Sequence, residues 1–392
     1  MKWEKVLLGE VTDSCLGKML DQEKNRGEYQ PYLANVDVRW GSFNLDDLSE
    51  MRFEKDEQER YGLKYGDLVV CEGGEPGRCA IWKNQIPNMK IQKALHRVRV
   101  HDCLDYRYLY YWFLLAGKTG GLEQYFTGAT IKHMPGQKLK SVVIDKPPIG
   151  IQRSIADVLS SYDDLIENNQ KQIKLLEEAA QRLYKEWFVD LRFPGHENTK
   201  ITDGVPEGWK IQTLSQIADV VMGQSPKSEF YNQNGQGLPF HQGVGSYGTR
   251  FVVDKIYSTS FTRIAEAGSI LFSVRAPVGR LNLTRNRVVI GRGLAAINHR
   301  LGKQSYLFYL LKEHFFKDDV IGNGAIFASI SKDELLAQQF TIPVSNLIEQ
   351  FNVIVSDMDG RIAELAEQVT LLIEARDRLL PKLMSGEIEH IS

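Results

Sequence analysis

Residues 155–187 carry the clearest pattern in the chain and read IADVLSSYDDLIENNQKQIKLLEEAAQRLYKEW. Starting at Ile155, mostly apolar residues recur at alternating spacings of four and three, the heptad rhythm of a helix that packs along a narrow seam. A helix of this length would span about 50 Å. The seam positions are Ile155, Leu159, Tyr162, Ile166, Asn169, Ile173, Leu176, Ala180, Leu183 and Trp187.

The same seam returns 196 positions later, in residues 351–383. We predict that the two helices pair as an antiparallel coiled coil. The alternative is two amphipathic helices, each on a core of its own; the narrow stripe favours pairing, because a core-facing helix usually shows a wider apolar face. The residues predicted to make the helix–helix contact are Ile155, Leu159, Ile166, Ile173, Leu176, Leu183, Val355, Ile362, Val369, Leu372 and Leu379.

The sequence before each helix is also repeated. Gly66-Asp67-Leu68-Val69-Val70 matches Gly268-Ser269-Ile270-Leu271-Phe272, and Tyr108-Leu109-Tyr110-Tyr111 matches Tyr306-Leu307-Phe308-Tyr309. Short β-like runs with one clear helix predict an α/β (α+β) domain in each copy. The predicted segments are a first domain at 1–150, a helical spacer at 151–190, a linker at 191–206, a second domain at 207–345, a second spacer at 346–385 and a tail at 386–392.

The composition of the 392 residues, with 43% apolar and 25% charged residues, is typical of a soluble globular protein. No apolar run approaches the ~18 residues of a membrane helix, and the first residues lack the apolar core of a signal peptide. The four cysteines form no C-x-x-C motif, which predicts free thiols in a reducing cytoplasm.

The charge is unevenly distributed, although the net charge is only −2. The first domain, first spacer with linker, second domain and final segment carry +1, −3, +5 and −5. Residues 76–101 and 267–312, which occupy the same place in the two copies, contain no acidic residue. Lys and Arg neutralise phosphates while Arg, Asn and Gln read base edges, so these stretches predict duplex DNA binding. The alternative is a basic strand surface that pairs with acidic faces of the same protein.

A polar loop region in each copy, Gly17–Gly41 and Gly223–Arg250, completes the predicted interface, because long loops on a rigid scaffold often carry specificity. The alternative is that these are ordinary surface loops. The candidate DNA-binding residues are Lys18, Arg39, Arg78, Lys90, Gln92, Lys93, Gln224, Lys227, Gln242, Arg250, Arg275, Arg280 and Arg292.

No catalytic or metal-binding motif is recognisable in the sequence. Gly117-Lys118-Thr119 resembles the end of a phosphate loop, but Trp112 stands where the loop needs its first glycine. An enzyme with an unfamiliar site, using Glu72 or His241, stays an alternative. Trp187 and Phe188 close the first helix as two large aromatic residues, which either pack on the domain or form part of a subunit interface; we predict that they bind a partner subunit.

These features resemble the DNA-specificity subunit of Type I restriction–modification systems. The resemblance covers essentially the whole chain, and its specific pieces include Gly17-Lys18-Met19-Leu20, Pro147-Pro148-Ile149 and the tail Leu379-Leu380-Pro381-Lys382-Leu383. The chain departs from the pattern at Pro343-Val344, where the second helix has one proline instead of two.

The resemblance implies a role without catalysis. Each globular domain would be a target recognition domain that reads one half of a bipartite DNA site, with the helices as a spacer. The chain would dock methyltransferase subunits, two of them, and restriction subunits through the complex. It would hold no cofactor or metal, since S-adenosylmethionine, ATP and Mg²⁺ would belong to the partners. A stand-alone bipartite DNA-binding regulator is the rival interpretation.

Overall fold

The computed structural model describes residues 3–21, 25–315 and 329–388. The chain forms two compact units, Met1–Asn169 with Glu367–Ser392, and Gln170–Ala366. Each unit contains one of the repeated domains and part of each long helix. Of the predicted tail, residues 389–392 lie outside the described residues. Within the described ranges, no helix has the length and apolar content that crossing a bilayer requires.

The first unit is built on a four-stranded antiparallel sheet in the order Thr12–Leu16, Leu95–Val100, Leu68–Cys71 and Cys79–Ile81. Its central strand Leu68–Cys71 is buried on both faces, which explains why the sequence shows an apolar run there without alternation. Smaller sheets join Glu4–Leu7 with Val143–Lys146, Glu28–Leu33 with Glu50–Phe53 and Lys90–Ile91, and Val38–Arg39 with Ser42–Phe43. The shorter helices are Leu8–Val11, Glu57–Tyr61 and Gly136–Lys140.

The helix Tyr106–Thr119 covers this sheet. The Asp105 side chain accepts hydrogen bonds from the backbone N–H groups of Arg107 and Tyr108, so it caps the first turn. Gly120 follows the last turn in the left-handed conformation that commonly ends a helix. The helix buries an aromatic and aliphatic face in the core of the first unit.

The second unit repeats the plan, with a four-stranded sheet in the order Ala218–Met222, Leu294–His299, Ile270–Ser273 and Leu281–Leu283. The helix Gln304–Phe315 covers it, as Tyr106–Thr119 does in the first unit. The further strands are Lys210–Thr213 with Gln339–Ile342, Ile201–Thr202 with Val205–Pro206, and the sheet Tyr231–Asn232, Tyr257–Ser258, Leu238–His241, Val288–Ile290 and Ile264–Ala265. The shorter helices are Leu214–Ile217 and Lys332–Leu336.

The repeat extends to individual backbone hydrogen bonds. In both copies, equivalent N–H groups donate to equivalent carbonyl oxygens at 2.8–3.0 Å. The predicted mixed α/β class with two similar domains is therefore confirmed. The matched bonds join Gly17 to Leu95 and Gly223 to Leu294, Lys18 to Ile91 and Gln224 to Ile290, and Gly77 to Cys71 and Gly279 to Ser273.

The two long helices are Ile149–Tyr184 and Ser345–Met384, and the first continues as a π-helical turn, Lys185–Val189. In the first unit, Asn169 Nδ2 donates to Gln368 Oε1 at 3.1 Å, and Arg376 Nη1 lies 2.5 Å from Asp163 Oδ1. Asp163 pairs with Arg376 and Asn169 pairs with Gln368, so residue numbers increase along the first helix as they decrease along the second. These segments therefore run antiparallel.

The helix segments in the second unit are also antiparallel. Ile173 packs with Ile362 and Leu365, and the Tyr184 ring lies 5.7 Å from the Phe351 ring.

The residues of the predicted seam differ in burial. Leu176, Leu183, Val369, Leu372 and Leu379 are half-buried. Ile155 and Leu159 pack against domain residues as well as against Leu380 and Leu383, so the seam is shared with the core of the first unit. The buried members of the predicted seam are Ile155, Leu159, Ile166, Ile173, Val355 and Ile362.

Candidate nucleic-acid interface

Four of the predicted DNA-binding residues meet in one cleft of the second unit, with a volume of about 550 Å³. None of the described residues that line the cleft is acidic, so these residues contribute only neutral and positive groups. The lining residues are Gln224, Ser225, Pro226, Lys227, Ser228, Tyr231, Gln242 and Arg292.

The strand arrangement explains why these residues meet. The strands Leu238–His241 and Val288–Ile290 pair in parallel, so their carboxyl ends lie at the same edge. Gln242 directly follows the first strand, and Arg292 follows the second after one glycine. The third element is the loop after Ala218–Met222, where Gln224 N donates to Ile290 O at 2.9 Å.

A hydrogen-bond relay fixes the base of the cleft. The Ser225 hydroxyl donates to Gln242 Oε1 at 2.7 Å and accepts from the Arg292 backbone N–H at 3.2 Å. Tyr231 OH donates to Pro226 O at 2.9 Å, which holds the loop that carries Ser225. The cleft is therefore organised by contacts within the second unit before any ligand binds.

Gly291 is required by the close approach of Gln242. A Cβ atom at Gly291 would lie 2.6 Å from Gln242 Oε1 and 3.0 Å from Gln242 Cα. Neither Gly291 nor Ser225 was predicted from the sequence to be a functional residue. The only sequence signal for Ser225 was its position inside the Gly223–Lys227 turn.

The basic side chains of the cleft are available to an anionic ligand. Arg292 is exposed, and its guanidinium has no hydrogen-bond or ion-pair partner among the residues that the structure describes. Lys227 is 83% exposed, and its Nζ lies 3.8 Å from Glu229, a surface pair that water screens strongly. Both groups can therefore contact phosphate or base atoms at low cost.

Arg250 is not part of this cleft, although the sequence analysis predicted a DNA contact. Its side chain is 3% exposed, and its guanidinium contacts Asp359 and lies 3.5 Å from Glu177 Oε1. It also donates to Tyr309 OH at 3.2 Å and stacks 4.1 Å above the Phe308 ring. A guanidinium that is buried and paired in this way serves the fold of the second unit, so we omit Arg250 from the interface.

The other predicted residues of the second domain, Arg275 and Arg280, are exposed at the hairpin after Ile270–Ser273 and do not line the cleft. Several further basic groups of the acid-free stretch are ion-paired. Arg287 pairs with Glu266 and Arg300 with Asp219, both at 3.1 Å. The alternative of a basic surface that pairs with the protein's own acids thus applies to part of this stretch.

In the first domain, two of the predicted residues are buried. Lys18 Nζ lies 2.5 Å from Glu57 Oε2 and donates to Arg52 O at 2.9 Å. Lys90 is 4% exposed, and the loss of hydration lowers its pKa. A DNA phosphate cannot reach a side chain with so little exposed surface, so we omit both residues from the interface.

The remaining predicted residues of the first domain are more accessible. Arg39 is exposed and donates to Val38 O at 3.0 Å, and Arg78 lies 3.1 Å from Glu75 Oε2. Gln92 and Lys93 follow the strand Lys90–Ile91, which pairs in parallel with Glu28–Leu33. Lys93 is exposed, with no side-chain partner in the described part of the chain, and corresponds to Arg292 in the repeat.

Trp187 and Phe188 pack inside the second unit. The Phe188 ring lies 5.0 Å from Tyr184, 5.1 Å from Phe351 and 5.3 Å from Tyr306, and Trp187 is buried. Of the two possibilities left by the sequence, packing on the domain accounts for these contacts.

The geometry offers little to an enzymatic interpretation. His241 is fully buried, is not among the residues that line the cleft, and has its Nε2 3.1 Å from Asp254 Oδ1. Over the described ranges, no group of three or more His, Cys, Asp or Glu residues is placed to hold a metal ion. All four cysteines are free.

Comparisons with known proteins agree with this picture. The family described as Type I restriction modification DNA specificity domain matches residues 1–178 and 206–375. The putative type I restriction enzyme MjaX specificity subunit of Methanocaldococcus jannaschii is 32% identical over 258 residues, which are 64% of this chain and 60% of that protein. The MjaIX specificity subunit of the same organism is 27% identical over 339 residues, covering 82% of this chain and 78% of that protein.

A solved structure shares the fold. The crystal structure of the Type-I restriction-modification system S subunit from M. genitalium superposes with a TM-score of 0.60 at 18% identity, covering 97% of this chain and 96% of that chain. Because the two family matches together span most of the sequence, the chain belongs to the family of Type I restriction–modification DNA-specificity subunits, which are the non-catalytic chains of their systems.

Proposed function

We propose that this chain selects a bipartite duplex DNA site for a Type I restriction–modification complex. Residues 1–150 and 207–345 would be the two target recognition domains. The observation that carries the proposal is the cleft of the second unit, where Gln224, Lys227, Gln242 and Arg292 converge and none of the described lining residues is acidic. Cationic side chains neutralise phosphates, and Gln and Arg side chains read base edges.

The two domains would read different half-sites, because their equivalent positions differ. Tyr32 pairs with Lys90 in the parallel strands of the first domain, and Phe240 pairs with Val289 in those of the second. Tyr32 and Phe240 are therefore equivalent, and two residues further along the chain Ala34 corresponds to Gln242. The first domain therefore lacks the Gln242 amide at the edge where the second domain presents it. At the position of Arg292 the first domain has Lys93, a point charge that suits a phosphate, where the second domain has a planar, bidentate donor that suits a base edge.

The long helices would dock two methyltransferase subunits, and restriction subunits would join through the complex. Support comes from exposed apolar residues on the helices at positions related by the repeat. Val158 and Ile354 are 42% exposed, and Leu175 and Leu371 are 55% and 57% exposed. Exposed apolar groups that recur at equivalent positions are suited to two equivalent partners. S-adenosylmethionine, ATP and Mg²⁺ would be bound by those partners in the cytoplasm.

The experiment is co-expression of the chain with its methyltransferase subunits, followed by purification of the complex and sequencing of modified bases. The proposal expects a stable complex and one bipartite modified sequence that depends on this chain. A chain that binds duplex DNA but forms no complex with methyltransferase subunits would support the rival function of a stand-alone regulator.

A further inference from the structure

Gln242 and Arg292 both line the cleft, and each carries side-chain hydrogen-bond donors that have no partner among the described residues. An amide side chain carries one acceptor oxygen and one donor NH₂ group, so its orientation decides what it can read. Gln242 Oε1 accepts the Ser225 hydroxyl proton at 2.7 Å. The same atom is the one that faces Gly291, which leaves Nε2 as the free end of the side chain.

Two hydrogen bonds hold the Ser225 hydroxyl in the orientation in which its proton points to Gln242 Oε1. It accepts the Arg292 backbone N–H at 3.2 Å, so its own proton is directed to Gln242. The backbone around the relay is also fixed, since Gly291 N donates to His241 O at 2.8 Å and Gly293 N donates to Gln242 O at 3.1 Å. Ser225 and Gly291 are therefore positioning residues for the two side chains that face the ligand.

Arg292 adds a second set of donors beside the Gln242 amide. Its guanidinium has no acceptor and no side-chain partner among the described residues. In the major groove, arginine pairs bidentately with O6 and N7 of guanine. A glutamine that reads adenine bidentately must accept from adenine N6 with its Oε1. Here one lone pair of Oε1 accepts the Ser225 hydroxyl proton, and the same atom is packed against Gly291, so Nε2 is the end of the amide best placed to contact a base.

We propose that the second recognition domain reads a guanine through Arg292, and that Gln242 Nε2 donates to an acceptor of a neighbouring base in the major groove, which admits guanine, thymine or adenine and excludes cytosine. This inference rests on the proposed function and adds the class of bases that the second half-site must contain. Gln224 also lines the cleft. Neither its amide oxygen nor its amide nitrogen has a hydrogen-bond partner among the described residues, so Gln224 can donate or accept and does not restrict which base is read.

The test uses the complex of this chain with its methyltransferase subunits and a duplex library with randomised half-sites. The wild-type complex should select a site in which one half contains an invariant guanine. Arg292→Ala should lower the preference for that guanine about 10- to 100-fold, the discrimination typical of one bidentate contact, and leave the other half-site unchanged. Arg287→Ala is the matched control, because that exposed arginine is paired with Glu266 away from the cleft.

Base analogues show whether the guanine is contacted in the major groove or in the minor groove. Replacing the invariant guanine by 7-deazaguanine removes the N7 acceptor and should weaken binding, whereas inosine keeps O6 and N7 and should bind as guanine does. Ser225→Ala should free Gln242 Oε1 to accept a hydrogen bond, so cytosine, whose N4 amine is a donor, should become accepted at the position that Gln242 reads. A site without an invariant guanine, an Arg292→Ala complex with the wild-type consensus, or loss of binding with inosine alone would overturn the inference. A wild-type complex that selects no sequence at all would overturn the proposed function with it.

Discussion

The Tyr111 hydroxyl donates to Asp163 Oδ2 at 2.6 Å, joining the helix that covers the first sheet to the first long helix. The repeat provides the same pair in the second unit, where Tyr309 OH lies 3.3 Å from Asp359 Oδ1. The arginine that contacts the aspartate comes from a different structural element in each unit. Arg376 from the second long helix contacts Asp163, whereas Arg250 from a domain loop contacts Asp359. Each domain is thus fixed to the helices of its own unit by a partly buried polar cluster.

Asp163→Ala should lower the free energy of unfolding by about 1–3 kcal/mol, because it leaves the Tyr111 hydroxyl without its acceptor and leaves the Arg376 guanidinium with Asp377 as its remaining carboxylate. Urea denaturation of the full chain measures the change. Asp164→Ala, at the exposed neighbouring position, is the control and should change stability little. Equal effects of the two substitutions would show that the cluster does not stabilise the unit.

Phe188→Ser should destabilise the second unit by about 3 kcal/mol, since the ring packs against Tyr184, Tyr306 and Phe351. Phe188→Leu keeps most of the apolar volume and should cost less. Thermal unfolding of the free chain gives the comparison. Wild-type stability of Phe188→Ser together with loss of methyltransferase binding would instead assign this residue to a subunit interface.

Lys93→Ala with Lys227→Ala should flatten the salt dependence of DNA binding. Each phosphate contact contributes about 0.9 to the slope of log K against log salt, so the double variant should lose up to ~2 in slope. The selected sequence should not change, because phosphate contacts carry no sequence information directly. Lys64→Ala, an exposed lysine paired with Glu59, serves as the control. An unchanged slope would remove both lysines from the interface.

Leu175→Asp with Leu371→Asp should weaken assembly with methyltransferase subunits and leave the fold intact, because both side chains are more than half exposed. Size-exclusion chromatography of the co-expressed subunits measures assembly. Lys171→Asp tests whether a negative charge added to the same helix is by itself sufficient to weaken assembly. Full assembly of the double variant would show that the partners bind elsewhere on the chain.

The sequence predicted the regular features of this fold better than it predicted the interface. The heptads and the repeat depend on local spacing, which the sequence displays directly. The burial of Arg250 depends on its contacts with Glu177 and Asp359, which lie 73 and 109 positions away in the sequence. A local sequence pattern cannot predict such contacts. The grouping of Gln242 and Arg292 depends on a parallel strand pair, which became visible only in the structure.

The most direct test of the central claim is the sequence of modified DNA sites in cells that carry this chain with its methyltransferase subunits. The account predicts two short specified half-sites separated by a gap of unspecified bases. It also predicts that Arg292→Ala changes one half-site and leaves the other half-site and the gap as they are. A single continuous recognition sequence, or modification that does not depend on this chain, would contradict the account.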